Sequence, residues 1–301
     1  MSEIRLSDKN DVGRLKYIWK QCFGDSDAFI DFYFQEFYQP HQTMILQAGD
    51  EIAAMLTMIP VTIHLQPSTA VPCVMLYAIA TDPAYQGKGL ARELIDYSND
   101  YAAKTGKDFS VLVPASGSLF SFYEKLAYQA AFPIFESVHS FQNAPGGSSA
   151  SSADRCMLCA VSAKAYGEIR DSLSTSSSYI RYELNSLVYQ KKLSQLSGAD
   201  LYRIEYDNHI GCAAIERLSE QKLFIKELLM PSANLSTVLA SIGSLLPAEE
   251  AFIRSPLFLP APHGASLRNF AMIKPLGPTP LSAEVLSRIQ KNETYLGLAF
   301  D

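Results

Sequence analysis

The sequence lacks the features that would place the chain in a membrane or outside the cell. Within its 301 residues, no apolar run reaches the roughly 20 residues that a membrane-spanning helix needs. The sequence opens with no signal-peptide pattern. Its cysteines, five in number and scattered, are typical of reduced thiols rather than of a disulfide framework. We therefore expect a cytoplasmic protein with no membrane span.

Positive charge is also scarce, which argues against a nucleic acid as partner. Lysine and arginine number 25 against 31 acidic residues, a net charge of −6 at pH 7, whereas nucleic-acid-binding domains carry basic patches. A mildly acidic chain is compatible with a cationic amine as substrate. Asp25, Asp27 and Asp31 lie close together in the sequence and either line such a cleft or form a solvated helix start.

Metal-ligand spacings are missing as well. The five histidines follow no metal-binding pattern, and His64 and His139 lie in predicted strands, where a structural role is favoured. Cys156 and Cys159 form a Cys-x-x-Cys pair, but no second pair and no nearby histidine accompanies them. We expect no metal.

Two common nucleotide-binding motifs, the P-loop and the dinucleotide Gly-x-Gly-x-x-Gly, are absent too. The sequence does contain the hexapeptide Gln86-Gly87-Lys88-Gly89-Leu90-Ala91, between an apolar run at 74–81 and an amphipathic run at 90–103. This order predicts a strand, a glycine-bearing turn and a helix start. The N–H groups of such a turn and the partial positive charge of the helix start suit a phosphate or pyrophosphate. Taken alone, the hexapeptide could equally be a tight connection.

The surrounding periodicity predicts alternating strands and helices in the first half of the chain. The predicted strands are Ile4–Leu6, Thr43–Gln47, Ile52–Leu65, Phe109–Val113 and Ile134–Phe141; the predicted helices are Asp8–Phe23, Leu90–Ala103 and Ser118–Leu126.

The pattern Gln/Arg-x-x-Gly-x-Gly/Ala between a strand and a helix resembles the acetyl-CoA motif of the GNAT N-acetyltransferases, with Gln86, Gly89 and Ala91 at its defined positions. Phe122–Tyr128 is similar to the final motif of that family, with Ala127 where glycine is common. The resemblance covers residues 1–142 and implies an α+β fold with a mixed central sheet flanked by helices.

The resemblance also implies a mechanism and its residues. Backbone groups of Ile79, Ala80 and Thr81 would contact the pantetheine arm of acetyl-CoA, and residues 86–91 would hold its pyrophosphate. An amine would attack the thioester directly, and Tyr123 would protonate the departing thiolate. From the residues alone, Tyr123 is equally explained as part of an aromatic cluster with Phe120, Phe122 and Tyr128 that packs a core.

The second half begins after a Pro/Gly/Ser-rich stretch at 143–153, which predicts a linker. The predicted strands that follow are Cys156–Val161, Asp200–Tyr206, Ile210–Arg217 and Leu223–Met230; the predicted helices are Ser162–Leu173, Tyr179–Leu196 and Leu235–Leu246. This order repeats the first half, but the junction Pro231–Leu235 has neither glycine nor a basic residue. Residues 154–301 are therefore interpreted as a second, degenerate GNAT-like domain, with an unrelated α+β domain as the alternative, and one acetyl-CoA site per chain is expected.

A tandem pair with one degenerate half resembles the enhanced-intracellular-survival (Eis) type of acetyltransferase. That resemblance implies an acceptor pocket beside Cys22–Phe34 and a terminal carboxylate, here that of Asp301, acting as base. The Eis type has a third, sterol-carrier-like domain, for which this sequence leaves no room. We expect an acetyl-CoA-dependent N-acetyltransferase acting on a primary amine. The alternative is a non-catalytic acyl-CoA-binding or regulatory module.

Overall fold

The computed structural model describes residues 2–65, 69–141, 156–174, 177–231, 234–278 and 281–300. The chain divides into two compact units that are discontinuous in sequence. The first consists of Met1–Ile63, Ala70–Ala130 and Ala271–Val285; the second consists of His64–Thr69, Ala131–Phe270 and Leu286–Asp301. The predicted linker at 143–153 lies outside the described residues, so the domain boundaries at 142 and 154 stay predictions.

The described helices and strands follow the sequence periodicity through most of the chain. The helices are α1 Val12–Phe23, α2 Asp27–Glu36, α3 Leu90–Lys104, α4 Gly117–Glu124, α5 Ala163–Leu173, α6 Leu184–Leu196, α7 Leu235–Leu245 and α8 Ser282–Gln290. The strands are β1 Ser2–Leu6, β2 Thr43–Ala48, β3 Glu51–Leu65, β4 Thr69–Thr81, β5 Phe109–Leu112, β6 Gln129–Ala131, β7 Ile134–Ser140, β8 Met157–Ala160, β9 Ser178–Tyr182, β10 Leu201–Tyr206, β11 His209–Ser219, β12 Lys222–Leu229, β13 Glu250–Pro256, β14 Ser266–Arg268, β15 Ala271–Pro275 and β16 Thr294–Tyr295. None of the described helices is both long and apolar enough to cross a membrane.

The first unit is built on a mixed sheet with the strand order β1-β2-β3-β4-β5-β15-β6. β1, β2 and β3 pair antiparallel, β4 and β5 pair parallel, and β15 runs antiparallel to β5. The parallel pair requires a crossover, which α3 supplies by packing Leu94 and Ile95 against the sheet. The connection carries the turn at 86–89 to the carboxyl end of β4.

The second unit has its own mixed sheet, in the order β14-β7-β13-β12-β11-β10-β8. β12 and β13 form its parallel pair, and β7 pairs antiparallel with β13. Its core joins α7, through Val238 and Ile242, to inward-facing residues of β10 to β13. The two strand orders thus include β15 in the sheet of the first unit and β7 in the sheet of the second, each from the opposite half of the sequence.

Several features differ from the sequence-based expectations, among them helix α2, Asp27–Glu36, which was not predicted. The predicted helix Tyr179–Leu196 is wrong over its first residues, since Ser178–Tyr182 is strand β9 and the helix begins at Leu184. Tyr179, Ile180 and Tyr182 favour a strand, and Ser178 and Tyr179 pair with β16, a long-range partner that local periodicity cannot reveal. The elements after residue 246, including β15, were not predicted at all.

Candidate active site

An opening between two parallel strands forms the centre of the candidate site. β4 and β5 pair from Cys73–Phe109 to Leu76–Leu112, where β5 ends, while β4 continues to Thr81. A bulge accompanies this divergence: Ala78 has φ +50°, and Val74, Leu76 and then Ile79 face the same core cluster. Backbone groups of the last β4 residues therefore have no partner strand on the β5 side.

The three strand residues that are predicted to bind the cofactor differ in their burial and in the hydrogen bonds that they already make. Ile79 is partly buried against the core cluster, and Ala80 is buried. The Thr81 carbonyl accepts hydrogen bonds from Gln86 Nε2 at 3.0 Å and from Cys22 Sγ at 3.2 Å. The Thr81 hydroxyl is buried without a partner among the described residues.

The glycine-bearing turn follows a 3₁₀ turn at Pro83–Tyr85 and opens α3. Gly87 and Gly89 have φ of +76° and +81°, the left-handed region that other residues avoid. Gly89 is the N-cap of α3, and no side chain of the described residues caps this end. The first N–H groups of a helix have no intrahelical acceptor, so the turn presents exposed donors to an anion.

Lys88 adds a positive charge to the turn but folds back on it. Its ammonium group donates to the Ala84 carbonyl at 3.3 Å and lies 4.9 Å from the centre of the Tyr85 ring. Leu90 and Ala91 begin the helix, both partly buried, and Leu90 packs against the core cluster.

Tyr123 lies near the end of α4 with 7% of its surface exposed, in the same cluster as Ile79 and Leu90. Its ring centre lies 5.1 Å from that of Phe122 and 6.0 Å from that of Tyr128. Burial raises the pKa of Tyr123 to about 12. Among the described residues its hydroxyl has no hydrogen-bond partner, so a proton can be donated from it without breaking a structural contact.

Tyr128, its neighbour, is fixed differently. Its hydroxyl lies 2.7 Å from Ser110 Oγ and donates to Asn99 Oδ1 at 3.1 Å. Tyr128 is thus tied into the core through its hydroxyl, whereas the Tyr123 ring packs in the same cluster and its hydroxyl has no partner among the described residues. Ala127 between them has φ +65°, which explains why glycine suits that position.

The three early aspartates are each engaged by neighbouring residues. Asp25 accepts from the Trp19 indole N–H at 2.7 Å. Asp27 pairs with Lys20 at 3.1 Å, and Asp31 pairs with Lys16 at 2.6 Å. The two lysines neutralise Asp27 and Asp31 locally, which favours the solvated helix start over an acidic cleft.

Sequence reasoning missed the residues that support the turn. Asp82 is buried, accepts from the Ala84 N–H at 2.9 Å and accepts from Arg14 Nη2 at 2.7 Å. An aspartate directly before a proline at the end of a strand is a capping signal that could have identified the first contact. The contact with Arg14 spans 68 residues and leaves no local signal.

In the second unit two parallel strands, β12 and β13, also diverge, but buried charged residues lie at the point of divergence. β12 and β13 pair only from Lys222–Glu250 to Ile225–Ile253, and Leu223, Ile225 and then Leu228 face the core. The positions that match Tyr77 and Ala78 are Lys226 and Glu227, which are 1% and 0% exposed. The junction that follows includes residues 232 and 233, which lie outside the described residues.

Glu227 is held in a buried network with the C-terminal segment of the chain. Arg170 Nε donates to it at 3.0 Å, and the Tyr295 hydroxyl donates to it at 2.8 Å. Arg170 Nη2 also donates to the Leu296 carbonyl at 2.7 Å. The pKa of Tyr295 is raised, mainly by burial and secondly by the negative charge of Glu227. The apolar end of the chain is therefore packed within the second unit, whereas Asp301 lies outside the described residues.

Comparison with known proteins agrees with this geometry. Residues 3–131 match the model of the acetyltransferase (GNAT) domain. No curated protein matches the chain. A GCN5-related N-acetyltransferase from Anabaena variabilis is 17% identical with a TM-score of 0.70, over 92% of this chain and 73% of that one.

Two further solved structures share the fold over nearly the whole chain. Eis1 from Mycobacterium abscessus is 12% identical with a TM-score of 0.64, over 91% of this chain and 74% of that one. A tandem GNAT protein from the clavulanic acid biosynthesis pathway is 10% identical with a TM-score of 0.54, over 93% of this chain and 100% of that one. Residues 3–131 therefore match a GNAT acetyltransferase domain, and the chain as a whole has the fold of these solved GNAT structures, the tandem GNAT protein and Eis1 among them.

Proposed function

We propose that the protein is an acetyl-CoA-dependent N-acetyltransferase that acts on a primary amine in a ternary complex. The main observation behind the proposal is that the opening between β4 and β5 is followed by a helix start, at Gly89, that no side chain of the described residues caps. The turn at 86–91 would hold the pyrophosphate, and the backbone of Ile79, Ala80 and Thr81 would bind the pantetheine arm. No metal has a role in this scheme.

The chemistry requires positioning and one proton donor. The amine nitrogen attacks the thioester carbonyl, an amide bond forms, the carbon–sulfur bond breaks and the amine loses a proton to solvent. Holding both reactants in one cleft can supply an effective molarity on the order of 10⁵–10⁸ M. Tyr123 then gives its proton to the CoA sulfur, a role suited to a hydroxyl that stays neutral at physiological pH.

One cofactor site per chain is part of the proposal. In the second unit, Lys226 and Glu227 occupy the bulge of β12, and Arg170 and Tyr295 cover the carboxylate. A thioester arm entering there would have to displace a paired charge, which is strongly unfavourable. The first unit has no charged residue at the matching positions, Tyr77 and Ala78.

Thermal unfolding with and without ligand tests whether the chain binds CoA at all. Acetyl-CoA or CoA at about 100 times its dissociation constant should stabilise the protein by roughly 2.7 kcal/mol. Dephospho-CoA serves as a second probe, since it keeps the pyrophosphate. No shift with any of the three would contradict both the enzyme and the binding-module alternative.

Turnover separates those two alternatives. The protein is incubated with acetyl-CoA and a panel of polyamines, aminoglycosides, lysine-containing peptides and amino acids, and thiol release is followed together with the mass of the acceptor. We expect an acceptor to gain one acetyl group per thiol released. Stabilisation by CoA without acetylation of any member of the panel would favour the non-catalytic module.

A further inference from the structure

The cofactor turn has few contacts of its own. Its four residues, Gln86 to Gly89, are exposed, and an added Cβ at either Gly87 or Gly89 would meet nothing within 4 Å. Its side-chain hydrogen bonds are made to residues that precede it in the sequence. Gln86 donates to the Thr81 carbonyl, and Lys88 donates to the Ala84 carbonyl. The turn is therefore held on one side by α3, whose Glu93 N–H donates to the Gly89 carbonyl at 3.1 Å, and on the other side by the segment 81–85 immediately before it.

Asp82 is the residue that fixes that segment. Its N–H donates to the Ala53 carbonyl at 2.9 Å, and its own carbonyl accepts from the Tyr85 N–H at 2.8 Å. One carboxylate oxygen caps the 3₁₀ turn at the Ala84 N–H. The other accepts from Arg14, so all the polar atoms of Asp82 are engaged.

Arg14 connects Asp82 to two other elements. It projects from α1, donates through Nη2 to Asp82 at 2.7 Å and through Nε to the Ile52 carbonyl at 3.0 Å. The pair thus joins α1, the start of β3 and the end of β4 at the point where the turn leaves the sheet. The Asp82 side chain is 7% exposed and that of Arg14 is 25% exposed, so water screens their attraction only in part.

We propose that the Arg14–Asp82 ion pair positions the cofactor turn, and that both residues act on pyrophosphate binding through the turn rather than by touching the ligand. The proposal rests on the proposed function, because it assigns these two residues to the same acyl-CoA site. A displaced turn would lose charge-assisted hydrogen bonds to the pyrophosphate, and each such bond is worth about tenfold or more in affinity. Loss of the pair therefore weakens CoA binding and leaves the chemical step largely intact.

The test compares variants that separate the cap from the ion pair. Asp82→Asn and Asp82→Ser each keep an oxygen for the Ala84 N–H but remove the charge that faces Arg14. Arg14→Gln removes the charge from the other side. Asp11→Asn is the matched control, since Asp11 is a buried carboxylate in the same unit whose hydrogen bonds are to Arg5, at 2.8 Å, and to the Asp8 N–H.

Two readouts are taken on the full chain: the dissociation constant of CoA by calorimetry, and that of S-acetyl-pantetheine, which lacks the pyrophosphate. We expect the Asp82 and Arg14 variants to bind CoA at least about tenfold more weakly, with S-acetyl-pantetheine binding unchanged. With an acceptor in hand, KM for acetyl-CoA should rise while kcat stays within about threefold. Asp11→Asn should lower the melting temperature without either change.

The outcomes distinguish failure of this proposal from failure of the proposed function. Absence of CoA binding by the unaltered protein would contradict the proposed function itself. Binding of CoA by the unaltered protein and, equally tightly, by Asp82→Asn and Arg14→Gln would overturn the positioning role. Equal weakening of both ligands, or the same weakening in Asp11→Asn, would show a general loss of structure and would overturn it as well.

Discussion

Replacing Tyr123 with phenylalanine is expected to lower kcat by about 10²–10⁴-fold, the usual contribution of a positioned general acid. The variant loses one oxygen that has no hydrogen-bond partner among the described residues, while its ring keeps its contacts with Phe122 and Tyr128. Folding and CoA binding should therefore stay as they are. The measurement is kcat with acetyl-CoA saturating, beside the dissociation constant of CoA.

Tyr128→Phe is the matched control for this prediction. It removes a hydroxyl that is bonded to Ser110 and Asn99, and the loss of buried partners costs about 1–3 kcal/mol of stability. Its kcat should be nearly unchanged at temperatures well below unfolding. Unchanged kcat in Tyr123→Phe, or an equal loss in both variants, would remove Tyr123 from the mechanism.

The pH profile provides an independent check on the same residue. Because burial raises the pKa of Tyr123 from 10.0 to about 12, the hydroxyl stays protonated as the pH passes through 10. In the unaltered protein, kcat should therefore not decline near pH 10 through titration of Tyr123. The contrary result would be a decline near pH 10 that the Tyr123→Phe variant lacks. Such a decline would indicate an acid with an ordinary tyrosine pKa.

Breaking the buried pair of the second unit has the largest expected effect on stability. Arg170→Met leaves Glu227 without its cation in a site where both side chains are at most 1% exposed, which costs about 3–5 kcal/mol. It also removes the hydrogen bonds to the Ile180 and Leu296 carbonyls. The free energy of unfolding in urea is the measurement.

A double variant tests the electrostatic part of this prediction. Arg170→Met combined with Glu227→Leu replaces the ion pair by apolar groups, so it should be less destabilised than the sum of the two single variants. Lys164→Met is the exposed control: its pairing with Glu168 at 3.9 Å on the surface of α5 is worth about 0.3–0.5 kcal/mol at most. Additive losses, or an Arg170→Met loss as small as the control, would contradict the role of the network.

The C-terminal segment is bound to this network by close packing. Gly297 has φ +79°, and a Cβ at that position would lie 2.0 Å from Glu227 Oε1 and 2.9 Å from Arg170 Nη2. A glycine is therefore required where the chain passes over the ion pair. This explains why the apolar end Tyr295–Phe300 is ordered against the second unit rather than extended into solvent.

The sequence predicted the parts of the fold that depend on local pattern. The hairpin around Gly49, the helix that begins at Leu90 and the strand–turn–helix at the hexapeptide all follow from periodicity and turn residues. Their bounds agree within a few residues, apart from the earlier start of β4. The fold class was confirmed by the solved GNAT structures, and the resemblance of the first half of the chain to the GNAT family was confirmed by the domain match over residues 3–131.

Features that depend on distant residues were not accessible in the same way. The exchange of β7 and β15 between the halves, the pairing of β9 with β16, and the Arg14–Asp82 contact each join segments far apart in the chain. The local sequence pattern indicates which face of a helix or strand is apolar. It does not indicate which of several apolar strands that face packs against. The roles of Tyr123 and of residues 79–81 and 86–91 stay predictions.

The number of CoA molecules bound per chain, and the residues that binding depends on, test the central claim most directly. Titration calorimetry of CoA into the unaltered protein and into Gly89→Val is the measurement, since a β-branched residue strains the φ of +81° and places a side chain where the phosphate would approach. We predict one site per chain in the unaltered protein and none in Gly89→Val, with both proteins folded. Two sites per chain, or unchanged binding in Gly89→Val, would contradict the account.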